Sequence, residues 1–121
     1  MSAPIVFFDI AGTNSDVLQK FYRDLFDWDI DERGNFITGV TSPNPPDASL
    51  MGAIRKDPGE KVIYIGVEDI DAKAAEIVAH GGSIDQPRFE VPGVVVLALF
   101  HDPAGNRLGL VEMDGSAVKV P

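Results

Sequence analysis

The sequence predicts an α+β protein built from two βαβββ modules, paired into one domain with a concave mixed sheet and the helices outside. Three observations lead there. Two alternating apolar runs, Ile5-Val-Phe-Phe-Asp-Ile10 and Val62-Ile-Tyr-Ile-Gly-Val67, open segments of similar length. Each run is followed by an acidic helix start, with Asp16 and Asp71 as the matching acids, and by short strands in which Asp29 matches Asp85. The two matched pairs stand 55 and 56 residues apart, a nearly constant offset although few residues are identical. A repeat of this kind governs the architecture before any single element does. It places the modules at about residues 5–55 and 61–112 of a single domain of 121 residues, with function expected on the concave surface between them.

The elements follow in order. Ile5–Ile10 is the first strand, and Asn14 or Ser15 then caps a helix through about Phe26, since either side-chain oxygen can accept an orphan amide hydrogen bond. Val17, Leu18, Phe21 and Leu25 fall on one stripe of that helix, the stripe expected to bury against the sheet. Trp28–Asp31 and Phe36–Val40 read as strands around an Arg33-Gly34-Asn35 turn. Thr41-Ser-Pro-Asn-Pro-Pro46 is a loop, because proline donates nothing to a sheet ladder. Leu50–Lys56 is the fourth strand, and Asp57-Pro58-Gly59 turns the chain into the second module. There, Lys61–Val67 is a strand, and Asp71–His80 is a helix stopped by Gly81-Gly82. Ser83–Val91, Val94–His101 and Arg107–Glu112 are the closing strands, and Gly115 to Pro121 is a tail with little to hold it.

Composition narrows the function classes. An apolar content of 45% and a charged content of 24% are globular values. No run of 18 apolar residues could span a bilayer, and the opening Met1-Ser-Ala-Pro4 lacks the charged and apolar regions of a signal peptide. There is no cysteine, hence no disulfide and no thiolate chemistry, and the expected location is the cytoplasm. A net charge of −9 argues against nucleic acid, which needs a basic face, and would favour a cationic ligand at long range. There is no Gly-x-Ser-x-Gly elbow and no phosphate-cradling glycine loop.

Three motifs carry a family resemblance. Phe21-Tyr22-Arg-Asp-Leu-Phe-Asp-Trp-Asp29 ends the first helix, Val67-Glu-Asp-Ile-Asp71 opens the second, and Val91-Pro-Gly93 precedes Phe100-His-Asp-Pro-Ala-Gly-Asn-Arg-Leu-Gly-Leu-Val-Glu112. In this order they resemble the vicinal oxygen chelate superfamily of glyoxalase I, extradiol dioxygenases, fosfomycin resistance enzymes and bleomycin resistance proteins. The resemblance implies the glyoxalase-like fold and, commonly, a two-fold homodimer. It says less about function, because one fold hosts many chemistries.

In metal-using members of such a family, the ion is held by His, Gln or Glu from the inner strands. Carried onto this sequence, those ligand positions fall on Phe7, Val62, Gly109 and a residue near Gly52 or Ala53. None of these side chains offers a donor to a divalent ion, so no metal and no other cofactor is expected, and glyoxalase I activity is expected to be absent. His80 and His101 are the only histidines; the first reads as a helix-end residue and the second as a turn residue.

Strand alternation puts Phe7 with Asp9, Val62 with Tyr64, and Arg107 with Gly109. These six residues are the expected ligand-binding set: an apolar floor with an acid, a phenol and a guanidinium around it. Asp9 either acts as a base or meets a cation, or else forms an ion pair with Arg107 or Arg55. Tyr64 either donates to a reaction or packs, and Trp28 either stacks on a ligand or makes a sheet or dimer contact. The leading expectation is a metal-free, bleomycin-resistance-like protein that binds a small hydrophobic ligand, cationic or not, in its cleft. One rival is a metal-independent lyase or isomerase with Asp9 as base and Tyr64 or Arg107 stabilising an enolate or oxyanion. The other is a module with no small-molecule function.

Overall fold

The computed structural model describes residues 3–32, 37–41 and 51–121. The chain forms two compact units, Phe7–Val62 and Met1–Val6 with Ile63–Pro121. In the first, β1 (Ile5–Gly12) leads through α1 (Ser15–Phe26) to β2 (Asp29–Glu32), β3 (Ile37–Thr41) and β4 (Met51–Lys56). Its strands lie in the order β2-β3-β4-β1, with β1 and β4 parallel and the other neighbours antiparallel. In the second, β5 (Glu60–Val67), α2 (Ile70–Ala79), β6 (Ser83–Val91), β7 (Val95–His101) and β8 (Arg107–Asp114) take the order β6-β7-β8-β5. Again the outer parallel pair joins the first and last strands of the unit. The connectivity is the same in both units, so the repeat read from the sequence is a repeat of fold. The Arg33-Gly34-Asn35 turn, Phe36, the proline-rich loop after Thr41, and Leu50 lie outside the described residues.

Within the first unit, alternation along β1 and β4 separates two faces. Phe8, Ile10 and Gly12 look toward α1, where Leu18 Cδ1 lies 2.6 Å from the place a Cβ on Gly12 would take. Phe7, Asp9 and Ala11 occupy the other face, in register with Met51, Ala53 and Arg55. Ile54 is fully buried and Ala53 nearly so.

Asn14 caps α1, its Oδ1 accepting from the Val17 amide at 3.3 Å, so of the two candidate caps Ser15 is the first helical residue. The expected inward stripe is not the one that packs. Val17, Phe21 and Leu25 are exposed, whereas Gln19 is buried and Ser15, Leu18 and Tyr22 are partly covered. Two contacts rotate the helix this way. Gly12 leaves room for Leu18, and Asp27 takes a left-handed conformation (φ 56°) that ends the helix and brings Trp28 back onto Tyr22. The Tyr22 and Trp28 rings stack at 4.9 Å with 8° between planes, and Phe8 meets Trp28 edge-on at 5.8 Å. Trp28 is therefore an intramolecular packing residue of this unit.

The core of the second unit is Val67, Ile70, Val96, Ala98, Phe100 and Leu110, with Ile65, Ile77, Ile84 and Leu108 packed against it. Asp69 caps α2 by accepting from the Ala72 amide at 3.0 Å. β6 tolerates Pro87 because it is an edge strand and its register shifts on either side of Gln86. The C-terminal segment differs from the loose tail expected. A short strand, β9 (Ala117–Val118), pairs with Met113 and Asp114. Beyond it, the Lys119 amide donates to the Glu112 carbonyl at 2.9 Å, and the Gly93 amide donates to the Pro121 carbonyl at 3.2 Å. The N-terminal residues also join this unit, through the Gly66 amide and the Pro4 carbonyl at 2.8 Å. Among the described residues no helix is long and apolar enough to cross a membrane.

Candidate functional site

The six residues singled out from the sequence divide between the units, and each unit shows the same local arrangement. In the first, Phe7 and Asp9 lie on the face opposite α1, Asp9 in register with Ala53. In the second, Tyr64 and Gly109 are direct parallel partners on the face opposite α2, with Arg107 two residues away along β8. Asp9↔Ala53 and Tyr64↔Gly109 are thus equivalent pairs, and the ambiguity between Gly52 and Ala53 resolves to Ala53. Gly52 lies on the α1 face instead, beneath the Phe8 ring, where a Cβ would collide with that ring. Val62 shares its face of β5 with Tyr64 and is almost fully buried.

The residues present do not suit a divalent ion. Phe7, Ala53, Val62 and Gly109 have no donor atoms, and the Tyr64 ring lies directly over Gly109, so that even a methyl group there would be driven into it. Among the described residues no three His, Cys, Asp or Glu side chains gather into a potential metal site.

Asp9 is 3% exposed and accepts from Arg55 Nη2 at 3.2 Å. Arg55 is one of the two arginines considered for it. The same guanidinium donates to Glu60 through Nη2 and to Asp57 through Nη1, both at 2.6 Å. Burial alone would weaken the Arg55 charge. The hydrogen bond it donates to Glu60, the charge of Asp9 and the hydrogen bonds to Asp9 and Asp57 outweigh it and hold the guanidinium above its ordinary value. Arg55 Nε is buried without a hydrogen-bond partner among the described residues. Among the described residues, Asp9, Asp57 and Glu60 thus share the Arg55 guanidinium.

Arg107 Nε donates to Asp85 at 2.9 Å. Its neighbour across β7 is His101, at the strand end as expected. His80 caps α2, its amide donating to the Glu76 carbonyl at 3.0 Å. The closing Asp102-Pro-Ala-Gly-Asn106 segment is a built turn. Asp102 Oδ1 accepts from the amides of Ala104 and Asn106, each at 2.9 Å, and Oδ2 accepts from Asn106 Nδ2 at 2.9 Å. The Asn106 side chain and these amides hold the Asp102 carboxyl below its ordinary value.

The sequence reading missed Glu112. This buried carboxylate accepts from Arg88 Nε and Nη2, both at 3.1 Å, from Lys119 Nζ at 3.2 Å and from the Ile70 amide at 3.3 Å. The Arg88 hydrogen bonds outweigh the cost of burial and, with Lys119 and Ile70, pull its pKa down to about 2. The only trace in the sequence is a Glu inside the apolar run Leu108–Met113, which does not identify its partners.

A cavity of about 600 Å³ opens in the second unit beside the start of α2, bordered by Pro4, Val6, Gly66, Glu68, Lys73 and Met113. None of the six sequence-derived residues lines it.

Two βαβββ units, each closed by a parallel pair of its first and last strands, define a glyoxalase-like α+β protein. A family model for the Glyoxalase/Bleomycin resistance protein/Dioxygenase superfamily matches residues 5–110, and the chain belongs to that superfamily. It is 27% identical over 117 residues to the protein named "Putative glyoxylase CFP32" in Mycobacterium bovis and Mycobacterium tuberculosis, with 84% of the chain aligned. The chain spans 42% of the length of these curated relatives. Among solved structures it resembles a methylmalonyl-CoA epimerase in complex with methylmalonyl-CoA and NH4+, at a TM-score of 0.70 and 20% identity, each chain covered completely. It also resembles the methylmalonyl-CoA epimerase of Mycobacterium tuberculosis, at a TM-score of 0.63 and 16% identity over 91% of this chain and 87% of that one. At these identities the likeness is one of fold.

Proposed function

We propose that the chain is a small-molecule-binding member of its superfamily that works without a coordinated divalent ion. The observation that carries this reading is the Tyr64 ring over Gly109, together with the donor-free Phe7, Ala53 and Val62: packing side chains hold the positions where metal-using relatives carry ligands. The ligand is an apolar compound taken up against Tyr64, with Arg107 two residues along β8 from Gly109. The net charge of −9 favours a cationic aromatic over an anionic one. A base at Asp9 is the weaker reading, because its carboxylate is already engaged by a guanidinium and has little access to substrate.

Two measurements test the proposal. Elemental analysis of dialysed protein should find far less than one equivalent of zinc, nickel, iron or manganese; near one equivalent would overturn the metal-free reading. Thermal unfolding against a panel of cationic aromatics, anionic aromatics and acyl-CoA thioesters should show the largest upward shift for a cation. Ligand at about 100 times Kd stabilises by about 2.7 kcal/mol. A preference for the thioesters would point instead to the ligand class named for the similar solved structures. No shift from any compound would defeat small-molecule binding as stated.

A further inference from the structure

The cavity beside the start of α2 combines an apolar floor with an acidic mouth. Pro4, Val6, Gly66 and Met113 form the floor. Gly66 makes it continuous: a Cβ there would lie 2.9 Å from Met113 Cγ and 3.1 Å from Val6 Cγ1, so its absence lets both side chains settle onto β5. The Gly66 amide and the Pro4 carbonyl bond to each other at 2.8 Å, so this part of the floor offers a ligand mainly apolar surface. At about 600 Å³ the cavity falls within the roughly 300–1,000 Å³ that small-molecule sites occupy.

The charges at the mouth decide which ligand fits. Glu68, Asp69 and Glu76 stand there with Lys73. Lys73 Nζ bonds to Glu76 Oε2 at 2.8 Å, so these two charges offset each other. Glu68 is exposed and makes no hydrogen bond or ion pair among the described residues. A helix start commonly favours an anion through its orphan amides. Here the Ile70 amide donates to Glu112 at 3.3 Å and the Ala72 amide to Asp69 at 3.0 Å. An entering anion would meet the acids Glu68 and Asp69, and two of the amides that would hold it are engaged. A metal ion fits no better, because among the described residues no three His, Cys, Asp or Glu side chains gather to coordinate one.

We propose that this cavity binds an organic cation of the arylalkylammonium class, its charged head at Glu68 and Asp69 and its apolar body on Val6, Gly66 and Met113. The exposed mouth lets the head keep part of its water while the body leaves solvent, the division that amphipathic groups favour. The site shares no lining residue with the Tyr64–Gly109 face, so it is a second site and stands independently of the ligand proposed there.

Calorimetry of the full chain with phenylbutylammonium should show saturable binding of one molecule. Phenylbutyrate, a similar body with the opposite charge, should bind about tenfold more weakly or not at all. Glu68→Lys should weaken the ammonium by about tenfold and narrow its advantage over the butyrate. Ala72→Phe sets a ring into the cavity from an exposed helix position and should abolish binding. Ala75→Phe, exposed on the same helix but outside the lining, should bind as the native chain does, and both variants should keep native circular dichroism. With methyl-labelled methionine, the Met113 resonance should shift on adding the ammonium while that of Met51, in the other unit, stays in place. No saturable binding, equal affinity for the butyrate, equal affinity in the two phenylalanine variants, or an unmoved Met113 resonance would each overturn the proposal. None of these results would bear on the metal-free reading of the Tyr64–Gly109 face, which elemental analysis tests.

Discussion

Glu112 links the stability of its unit to pH through Arg88, Lys119 and the Ile70 amide. Its carboxyl has a pKa of about 2 in the folded state, against about 4.5 when unfolded, so the unfolded chain takes up the proton more readily. The stabilisation is therefore complete above about pH 4.5 and is lost as pH falls toward 2. Glu112→Gln should lower stability by about 3 kcal/mol at neutral pH, because Arg88 and Lys119 lose their shared partner. The same change should flatten the pH dependence of denaturant midpoints between pH 5 and 2, and an unchanged slope would assign the acid sensitivity elsewhere. At Gly109, Ala should destabilise by about 1–3 kcal/mol, since the new methyl group has no space beneath the Tyr64 ring. Adding Tyr64→Ala should make the Gly109→Ala change much less costly; additive losses in the double mutant would mean the ring does not police that position. For Asp9→Asn, calorimetry with cationic and anionic aromatics compares ion pairing with ligand contact. Because Asp9 already accepts from Arg55, the change should alter stability and leave binding within a factor of about three. A loss of tenfold or more for cations alone would restore Asp9 as a ligand residue.

At the scale of elements, most of the fold was legible because it depends on patterns the solvent enforces. Alternation along Ile5–Ile10 and Val62–Val67 marked the strands that pair in parallel with β4 and β8, and the nearly constant offset between modules makes Asp9 and Tyr64 equivalent positions of the repeat. The face of α1 was not legible. Reading Val17, Phe21 and Leu25 as inward assumes that the most apolar stripe packs on the sheet, whereas here Gly12, Leu18 and the left-handed Asp27 set the helix rotation. Those are shape constraints between residues that hydrophobicity does not encode. The consequence is measurable: Phe21→Ala should cost less than 1 kcal/mol, and Leu18→Ala should cost about 2 kcal/mol or more. The reverse ranking would restore the original stripe. Likewise the C-terminal segment looked unanchored because its hold comes from backbone pairing to Met113 and Asp114 and from Lys119 reaching Glu112. No local propensity announces either. For the candidate site the family motifs supply positions to consider, but the sequence does not supply their interactions. That Asp9 pairs with Arg55 and Arg107 with Asp85 follows from reach and register in three dimensions.

At the scale of the whole molecule, the chain couples a repeated fold to an acidic composition. The two units are not the two halves of the sequence, since Met1–Val6 belongs with Ile63–Pro121. The Gly66 amide finds its acceptor in Pro4, more than sixty residues upstream. A ribosome making this protein therefore completes the first module while leaving its opening residues waiting for a strand that has not yet been translated. Cutting the gene at the sequence boundary would strand that hydrogen bond. A fragment beginning near residue 61 should refold poorly alone and regain native protection of the Gly66 amide in hydrogen exchange when residues 1–60 are supplied in trans. Symmetry written in the gene is thus broken in the product at its first six residues, and those residues make the later half dependent on the earlier one.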